Sequence, residues 1–183
     1  DELISEQVTL TKPSPLKLAT IGSFTQKKGY INVFKVLPEL FKHYPESSYK
    51  VCGVTNTIEF YNTVNKYSNE ILLKSRIETT DSFTNSSLYE ISNFFSNVGI
   101  YMALAEQTNR GDVEGYGIAL LEANACGVPV VATNNFGFRE TVKDRYSGIL
   151  VNPHNKEEVL AAIDEIVRNY SAYSANAKKW AYE

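Results

Sequence analysis

Short apolar runs alternate with longer amphipathic segments along most of the 183-residue chain. The runs have the length of buried strands, and the segments between them repeat apolar residues every three to four positions, as helices do. Strands that alternate with helices form a parallel sheet covered by helices on both faces. The predicted strands are residues 16–21, 49–54, 76–79, 98–104, 128–133 and 148–151. We therefore predict an α/β fold, a Rossmann-like doubly wound parallel sheet of about six strands.

Two of the intervening helices are well marked. Residues 30–43 carry an apolar face with the helical repeat. Further along, Asn155 and Glu158 have the spacing of a capping pair at the start of the next helix, which carries its own apolar stripe. Both helices are predicted to pack against the sheet.

The turn formed by Gly115, Tyr116 and Gly117 comes before a predicted helix, residues 118–126, and a buried strand. Glycines on both sides of the tyrosine let the backbone approach a ligand closely. The first helical turn has unpaired N–H groups, including that of Ile118, and the helix dipole is positive at this end. Both features favour the binding of a phosphate. Tyr116 is either exposed to this pocket or packed under the loop.

Two carboxylates flank this turn, since seven residues separate Glu114 from Glu122. Glu114 lies at the mouth of the turn and Glu122 about one helical turn inside the helix, so both can face one pocket. Ionised carboxylates repel phosphate, and we expect them to accept hydrogen bonds from hydroxyls of a sugar or a ribose. A nucleotide sugar supplies phosphate and hydroxyls together. The alternative is a solvated glutamate pair beside an ordinary strand–helix turn.

This segment resembles the E-x7-E signature of the retaining glycosyltransferases with the GT-B fold, the family called family 4 or glycosyl transferases group 1. The resemblance implies that Glu114 contacts hydroxyls of the donor sugar as a catalytic residue. It implies that Glu122 holds the ribose of the nucleotide, and that the amides of residues 115–118 meet the diphosphate.

A second match follows the first predicted strand, at Gly22, Ser23 and Lys28. The resemblance implies that Lys28 is catalytic and pairs with the donor diphosphate as the leaving group gains charge, although a solvated loop lysine is the alternative. Ser23 stands where the family has arginine. The loss of a charged hydrogen bond to the diphosphate there would weaken the interaction by about 1.5–3 kcal/mol. The candidates for a replacement cation are Lys27, Arg110 and Arg139.

A weaker third match covers residues 133–142 and resembles the family's glycine-bearing loop after the fifth strand. Gly137 keeps the second of the usual two glycines, while Phe136 replaces the first. Glu140 keeps its spacing, and is either a binding residue or a residue in the first turn of a short helix, where the dipole favours it.

The resemblance covers nearly the whole chain and matches the carboxy-terminal half of such enzymes. We expect residues 1–15 to be a lead-in and residues 16–183 to be the GT-B nucleotide-sugar-binding domain. The tail from about residue 171 is expected to begin the helix that crosses back to an amino-terminal acceptor domain absent from this chain. The fragment alone is expected to bind nucleotide without transferring sugar.

The implied reaction moves a hexose-type sugar from a nucleoside diphosphate sugar to an acceptor hydroxyl, with retained configuration and without a metal or other cofactor. The acceptor, a glycan, lipid or protein, is expected on the missing domain, and the pathway is polysaccharide or glycoconjugate synthesis. Base recognition is expected near residues 76–78. The alternatives are a nucleotide-sugar-binding module without transfer activity, which Ser23 keeps open, and a GT-B sugar-nucleotide epimerase.

Composition excludes several other classes of function. A net charge of −3 and a pI near 5.5 give no reason to expect nucleic acid or an anionic membrane as a partner, so membrane contact is expected only through the missing domain. No apolar run approaches the roughly 20 residues that span a bilayer, and a cytoplasmic location is expected. Cys52 and Cys126 lack the spacing of a metal site.

Overall fold

The computed structural model describes residues 14–53, 58–67, 75–80, 87–108, 111 and 115–183. These residues form one six-stranded parallel sheet in the order β3-β2-β1-β4-β5-β6. The strands are β1 (Lys17–Ile21), β2 (Ser48–Cys52), β3 (Ile77–Thr80), β4 (Ile100–Ala103), β5 (Val130–Thr133) and β6 (Gly148–Val151). The predicted α/β class and the Rossmann-like sheet of six strands are confirmed.

Helices cover both faces of this sheet. In the described ranges they are α1 (Tyr30–His43), α2 (Ile58–Tyr67), α3 (Leu88–Phe95), α4 (Ile118–Ala125), α5 (Phe136–Thr141), α6 (Lys156–Arg168) and α7 (Tyr170–Tyr182), with a one-turn 3-10 helix at Gln26–Lys28. Neighbouring strand residues point to opposite cores, because Leu18 packs in the cluster that includes α1 and α6 and Ala19 in the cluster that includes α3 and α4. No helix within these ranges is long and apolar enough to cross a membrane.

The two well-marked helices form as predicted, with one difference in capping. Helix α1 has both predicted ends. The Asn155 side chain accepts a hydrogen bond from the Glu158 amide at 3.1 Å, which caps α6. The Glu158 carboxylate, however, accepts from the Asn152 amide at 3.0 Å instead of closing a reciprocal pair with Asn155. The cap therefore also fixes the chain that leads into α6.

Strands β1 and β4 separate early, at the centre of the sheet. Their register contains two residue pairs, Leu18 with Ile100 and Ala19 with Tyr101, whereas the β1–β2 register continues to Ile21. Beyond these pairs, side-chain hydroxyls serve as partners of the main chain. The Thr20 hydroxyl donates to the Met102 carbonyl at 2.7 Å, and the Tyr101 hydroxyl oxygen accepts from the Ile21 amide at 3.3 Å. A crevice therefore opens between the carboxyl ends of β1 and β4.

Thr20 also connects this crevice to the core beneath it. The hydroxyl of fully buried Tyr49 donates to Thr20 Oγ1 at 2.7 Å. Burial raises the pKa of Tyr49, so its hydroxyl stays protonated and available as a donor. The buried chain of hydrogen bonds from Tyr49 through Thr20 to Met102 joins β2, β1 and β4.

We expect Thr20→Val to lower the free energy of unfolding by about 2 kcal/mol, because valine keeps the side-chain shape and leaves two buried polar groups without their partner. Urea unfolding followed by circular dichroism measures this change. Tyr49→Phe is the matched control, since it removes one hydroxyl and keeps the bond from Thr20 to Met102. The double variant should lose less free energy of unfolding than the sum of the losses in the two single variants. Additive costs would contradict a connected network.

Candidate functional site

A cavity of about 460 Å³ lies at the carboxyl ends of β1 and β4. The strand order reverses between these two strands, and open α/β sheets bind ligands at such switch points. Strand ends form its floor, and the 3-10 turn, α4 and α5 complete its walls. The lining residues are Thr20, Ile21, Lys28, Tyr101, Ala103, Ala105, Tyr116, Gly117, Ile118, Ala119, Leu120 and Phe138.

Lys28 is held in this cavity because the loop that carries it is fixed to the end of β4. Gly29 has φ +65°, and a Cβ at this position would overlap the Leu104 carbonyl oxygen, so only glycine lets the two segments approach. The Glu106 amide also donates to the Lys27 carbonyl at 3.2 Å. These contacts place Lys28 beside the strand ends.

The same loop is anchored to the core at its other end. The Phe24 ring packs on Tyr30 and Phe60, with ring centroids 5.1 and 4.9 Å apart. The Tyr30 hydroxyl donates to the Gly22 carbonyl at 2.6 Å. The Lys28 side chain crosses Gly22 so closely that a Cβ there would lie 2.9 Å from Lys28 Cε. Two predicted site residues, Gly22 and Lys28, are therefore in contact.

Opposite Lys28, the Gly-Tyr-Gly turn leads into α4. Gly117 has φ +66° and caps the helix, and Leu120 donates its amide to the Gly117 carbonyl at 2.8 Å. The amides of Ile118 and Ala119 precede this bond and have no acceptor inside the helix. Tyr116 is 64% exposed and lines the cavity, which selects the exposed alternative for its ring. The turn and Lys28 thus present N–H groups and a positive charge to one cavity.

The predicted residues around this turn differ in their placement. Gly115 is exposed next to the lining residues, and Ser23 is exposed on the loop outside the lining. Glu114 lies outside the described residues, so its predicted contact with a donor sugar stays a prediction. Glu122 is half-buried on α4, four residues after Ile118 and hence on the same side of the helix.

The Glu122 carboxylate has neither a hydrogen bond nor an ion pair with the other residues that the structure describes. Burial raises its pKa above the ordinary value for glutamate. An ionised carboxylate in a partly buried position is stabilised when it accepts hydrogen bonds. Glu122 is not among the described residues that line the cavity, so its predicted contact with a ribose stays a prediction.

Positive charge in the cavity comes from few groups. Lys28 is the one charged residue among the described lining residues. Arg139 donates its Nε hydrogen to Asn134 Oδ1 at 2.6 Å and lines a separate surface groove with Lys143 and Trp180. Lys27 does not line the cavity, and Arg110 lies outside the described residues. Within the same ranges no group of His, Cys, Asp or Glu side chains is arranged to hold a metal ion.

The prediction that base recognition lies near residues 76–78 stays a prediction; these residues lie at the start of β3, the edge strand next to β2. The Arg76 guanidinium donates to the Ser47 carbonyl at 2.7 Å and to the Tyr44 carbonyl at 2.8 Å. It also lies 4.0 Å from the centre of the Phe41 ring. Arg76 therefore closes the carboxyl end of α1, a structural role.

Sequence reasoning gave no role to Gly53, which packs on the loop that carries Gly22. Gly53 follows β2 with φ +154°, and a Cβ there would overlap the Gly22 carbonyl oxygen. Its amide donates to the Thr80 carbonyl at 3.1 Å. The only signal in the sequence is a glycine near the end of the predicted strand at residues 49–54, which does not reveal that it packs on Gly22.

The sequence matches the family described as glycosyl transferases group 1 over residues 2–182. It is 26% identical over 167 residues to a GDP-mannose-dependent alpha-(1-6)-phosphatidylinositol monomannoside mannosyltransferase of Mycolicibacterium smegmatis, covering 89% of this chain and 42% of that protein. It is 28% identical over 149 residues to the putative colanic acid biosynthesis glycosyltransferase WcaL of Salmonella typhimurium, covering 81% and 35%. The chain thus spans less than half the length of these curated relatives.

Two solved structures share the fold. HepE of Anabaena, in complex with UDP and glucose, superposes with a TM-score of 0.74 at 17% identity, over 91% of this chain and 43% of HepE. The C-terminal domain of the glycosyl transferase group 1 family protein LpcC of Francisella tularensis superposes with a TM-score of 0.75 at 20% identity, over 91% and 84%. The likeness at these identities shows the fold alone.

Glu122→Gln should raise the midpoint of thermal unfolding at pH 7.5. The raised pKa of Glu122 means that ionisation costs more in the folded chain than in the unfolded chain. This cost is fully present above the folded pKa and disappears as the pH falls below the ordinary pKa of glutamate, about pH 4. The variant and the unmodified chain should therefore unfold alike at low pH, as scanning calorimetry would measure. A higher midpoint for Glu157→Gln, an exposed control on α6, would show a general charge effect instead.

Proposed function

We propose that this chain, which belongs to the glycosyl transferases group 1 family, is the donor-binding part of a retaining glycosyltransferase of family 4. The enzyme moves a hexose-type sugar from a nucleoside diphosphate sugar to an acceptor hydroxyl. The observation that carries this proposal is that Lys28 and the first turn of α4 meet in one cavity at the switch point of the sheet.

This arrangement suits a diphosphate leaving group. The Lys28 ammonium and the positive end of α4 both stabilise negative charge, and neither has to move when that charge develops. We assign this stabilisation to Lys28 and to the backbone of residues 115–118, with the close approach at Gly22 holding Lys28 in position. No metal ion or further cofactor is part of the proposed reaction.

The hydroxyl groups of the donor are assigned to the two glutamates. Glu122 is proposed to accept hydrogen bonds from the ribose, since its carboxylate is half-buried without a partner in the described part of the chain. Glu114 is proposed to orient the sugar, on the basis of its place in the E-x7-E pattern. Tyr116 lines the cavity.

The acceptor is proposed to be a glycan, lipid or protein, held by an amino-terminal domain outside this chain. The superposition on the C-terminal domain of LpcC supports the assignment of residues 16–183 to the carboxy-terminal domain. A relative named for colanic acid biosynthesis supports a role in polysaccharide or glycoconjugate synthesis. We place the reaction in the cytoplasm, with membrane contact only through the other domain.

A nucleotide-sugar-binding module without transfer activity is the second candidate function. The observation in its favour is that an exposed serine, Ser23, stands where the family has arginine. Lys28 is then the one charged residue among the described residues that line the cavity. A diphosphate that meets a single cation loses part of the stabilisation that bond cleavage needs.

Glu122→Ala should weaken binding of the nucleoside diphosphate by about 5- to 150-fold, because a charged hydrogen bond to the ribose is lost. Titration calorimetry of the chain with UDP, GDP and ADP measures this and also identifies the base. Glu157→Ala is the matched control, since Glu157 is exposed on α6 far along the chain from the cavity. Equal affinities for Glu122→Ala and the unmodified chain would remove the ribose role.

Transfer itself is tested with the complete enzyme and a panel of UDP, GDP and ADP sugars. We expect release of nucleoside diphosphate, with Lys28→Ala lowering kcat by about 100-fold or more through loss of leaving-group stabilisation. Lys35→Ala, an exposed lysine on α1, should leave kcat unchanged. Nucleotide binding without turnover on any donor would favour the binding module.

A further inference from the structure

The peptide of Gly22 is held on three sides directly after β1. Its amide donates to the Cys52 carbonyl at 2.7 Å. Its carbonyl oxygen accepts a hydrogen bond from the Tyr30 hydroxyl at 2.6 Å. The Cα of Gly53 lies so close to the same oxygen that a Cβ would overlap it. These contacts fix both the position and the orientation of this peptide.

The side chain of Lys28 rests on this peptide. A Cβ on Gly22 would lie 2.9 Å from Cε, 3.3 Å from Cδ and 3.3 Å from Nζ of Lys28, so the lysine crosses the glycine from Cδ to the ammonium. Gly22 has φ +134°, a conformation that residues with a side chain rarely adopt. The position of the Lys28 ammonium in the cavity therefore depends on where the Gly22 peptide lies.

Tyr30 is a rigid support for this peptide. It begins α1, it is 1% exposed, and its ring packs on Phe24 with the ring centroids 5.1 Å apart. The residue before it, Gly29, rests on the Leu104 carbonyl directly after β4. The Tyr30 hydroxyl is therefore fixed relative to the strand on the other side of the crevice.

Stability alone does not account for this hydroxyl. Its bond to the Gly22 carbonyl is only partly buried, so water can replace it as the donor. Phenylalanine would also keep the packing of the ring. Water, however, has no fixed position and does not hold the peptide in one orientation. The specific contribution of the hydroxyl is to fix the surface on which Lys28 rests.

We infer that Tyr30 is a positioning residue, whose hydroxyl holds the Gly22 peptide so that the Lys28 ammonium stays at the cavity. Tyr30 is not among the described residues that line the cavity, and it acts through Lys28. The inference rests on the proposed function, because that function assigns Lys28 to the donor diphosphate.

The first test compares Tyr30→Phe with Tyr44→Phe by nuclear magnetic resonance. Tyr44 lies at the other end of α1, and its hydroxyl donates to Asp164 Oδ1 at 2.6 Å, so this control removes an equivalent bond. We expect a nuclear Overhauser effect between Gly22 Hα and Lys28 Hε in the unmodified chain and in Tyr44→Phe. Tyr30→Phe should lose it. An unchanged effect in Tyr30→Phe, or its absence from the unmodified chain, overturns the inference.

The second test is titration calorimetry of the purified chain with UDP, GDP and ADP. Tyr30→Phe should weaken binding by about threefold to tenfold, because an ammonium without a fixed position forms a weaker charged hydrogen bond. Tyr44→Phe should bind like the unmodified chain. In a Lys28→Ala background, Tyr30→Phe should have no further effect, because the group it positions is gone. Equal losses with and without Lys28 would show a merely structural role and overturn the inference.

The two tests separate failure of the inference from failure of the proposed function. Binding by the unmodified chain with unchanged affinity in Tyr30→Phe overturns the inference alone. Failure of the unmodified chain to bind any of the three nucleotides overturns the proposed function. In that case, or where Lys28→Ala abolishes detectable binding, the nuclear Overhauser comparison decides whether Tyr30 holds Lys28 in place.

Discussion

The cavity depends on the early separation of β1 from β4. Main-chain pairing between these central strands stops after Ala19 and Tyr101, and the hydroxyls of Thr20 and Tyr101 then bond to main-chain groups near the strand ends. Without such partners, buried amide and carbonyl groups would make an open crevice costly. The side chains therefore let the sheet open at its centre while its polar groups remain paired.

Close backbone contacts then fix the loops that surround this opening. Gly29 rests on the Leu104 carbonyl, Gly53 on the Gly22 carbonyl, and Gly137 on the Gly115 carbonyl. Each contact leaves no space for a side chain, and each joins segments that are distant in the sequence. Lys28 and the start of α4 reach the same cavity because these contacts set the path of both loops.

The electrostatics of the site are simple for the function we propose. One lysine and one helix end provide the positive field in the described lining, and Glu122 is held half-buried with a raised pKa. A group kept in this unfavourable state is typical of a binding site, where a ligand supplies the missing hydrogen bonds.

The sequence by itself determined the α/β class, the six strands, the extent of α1 and the turn before α4, because these follow from local apolar periodicity and glycine placement. It also identified Lys28 and the Gly-Tyr-Gly turn through their motifs. Only the tertiary structure decided that the Arg76 side chain bonds to the carbonyl groups of Tyr44 and Ser47 and that Gly53 packs on Gly22. These facts depend on which strand ends and helices meet in space, and local sequence patterns carry no information about contacts between distant segments.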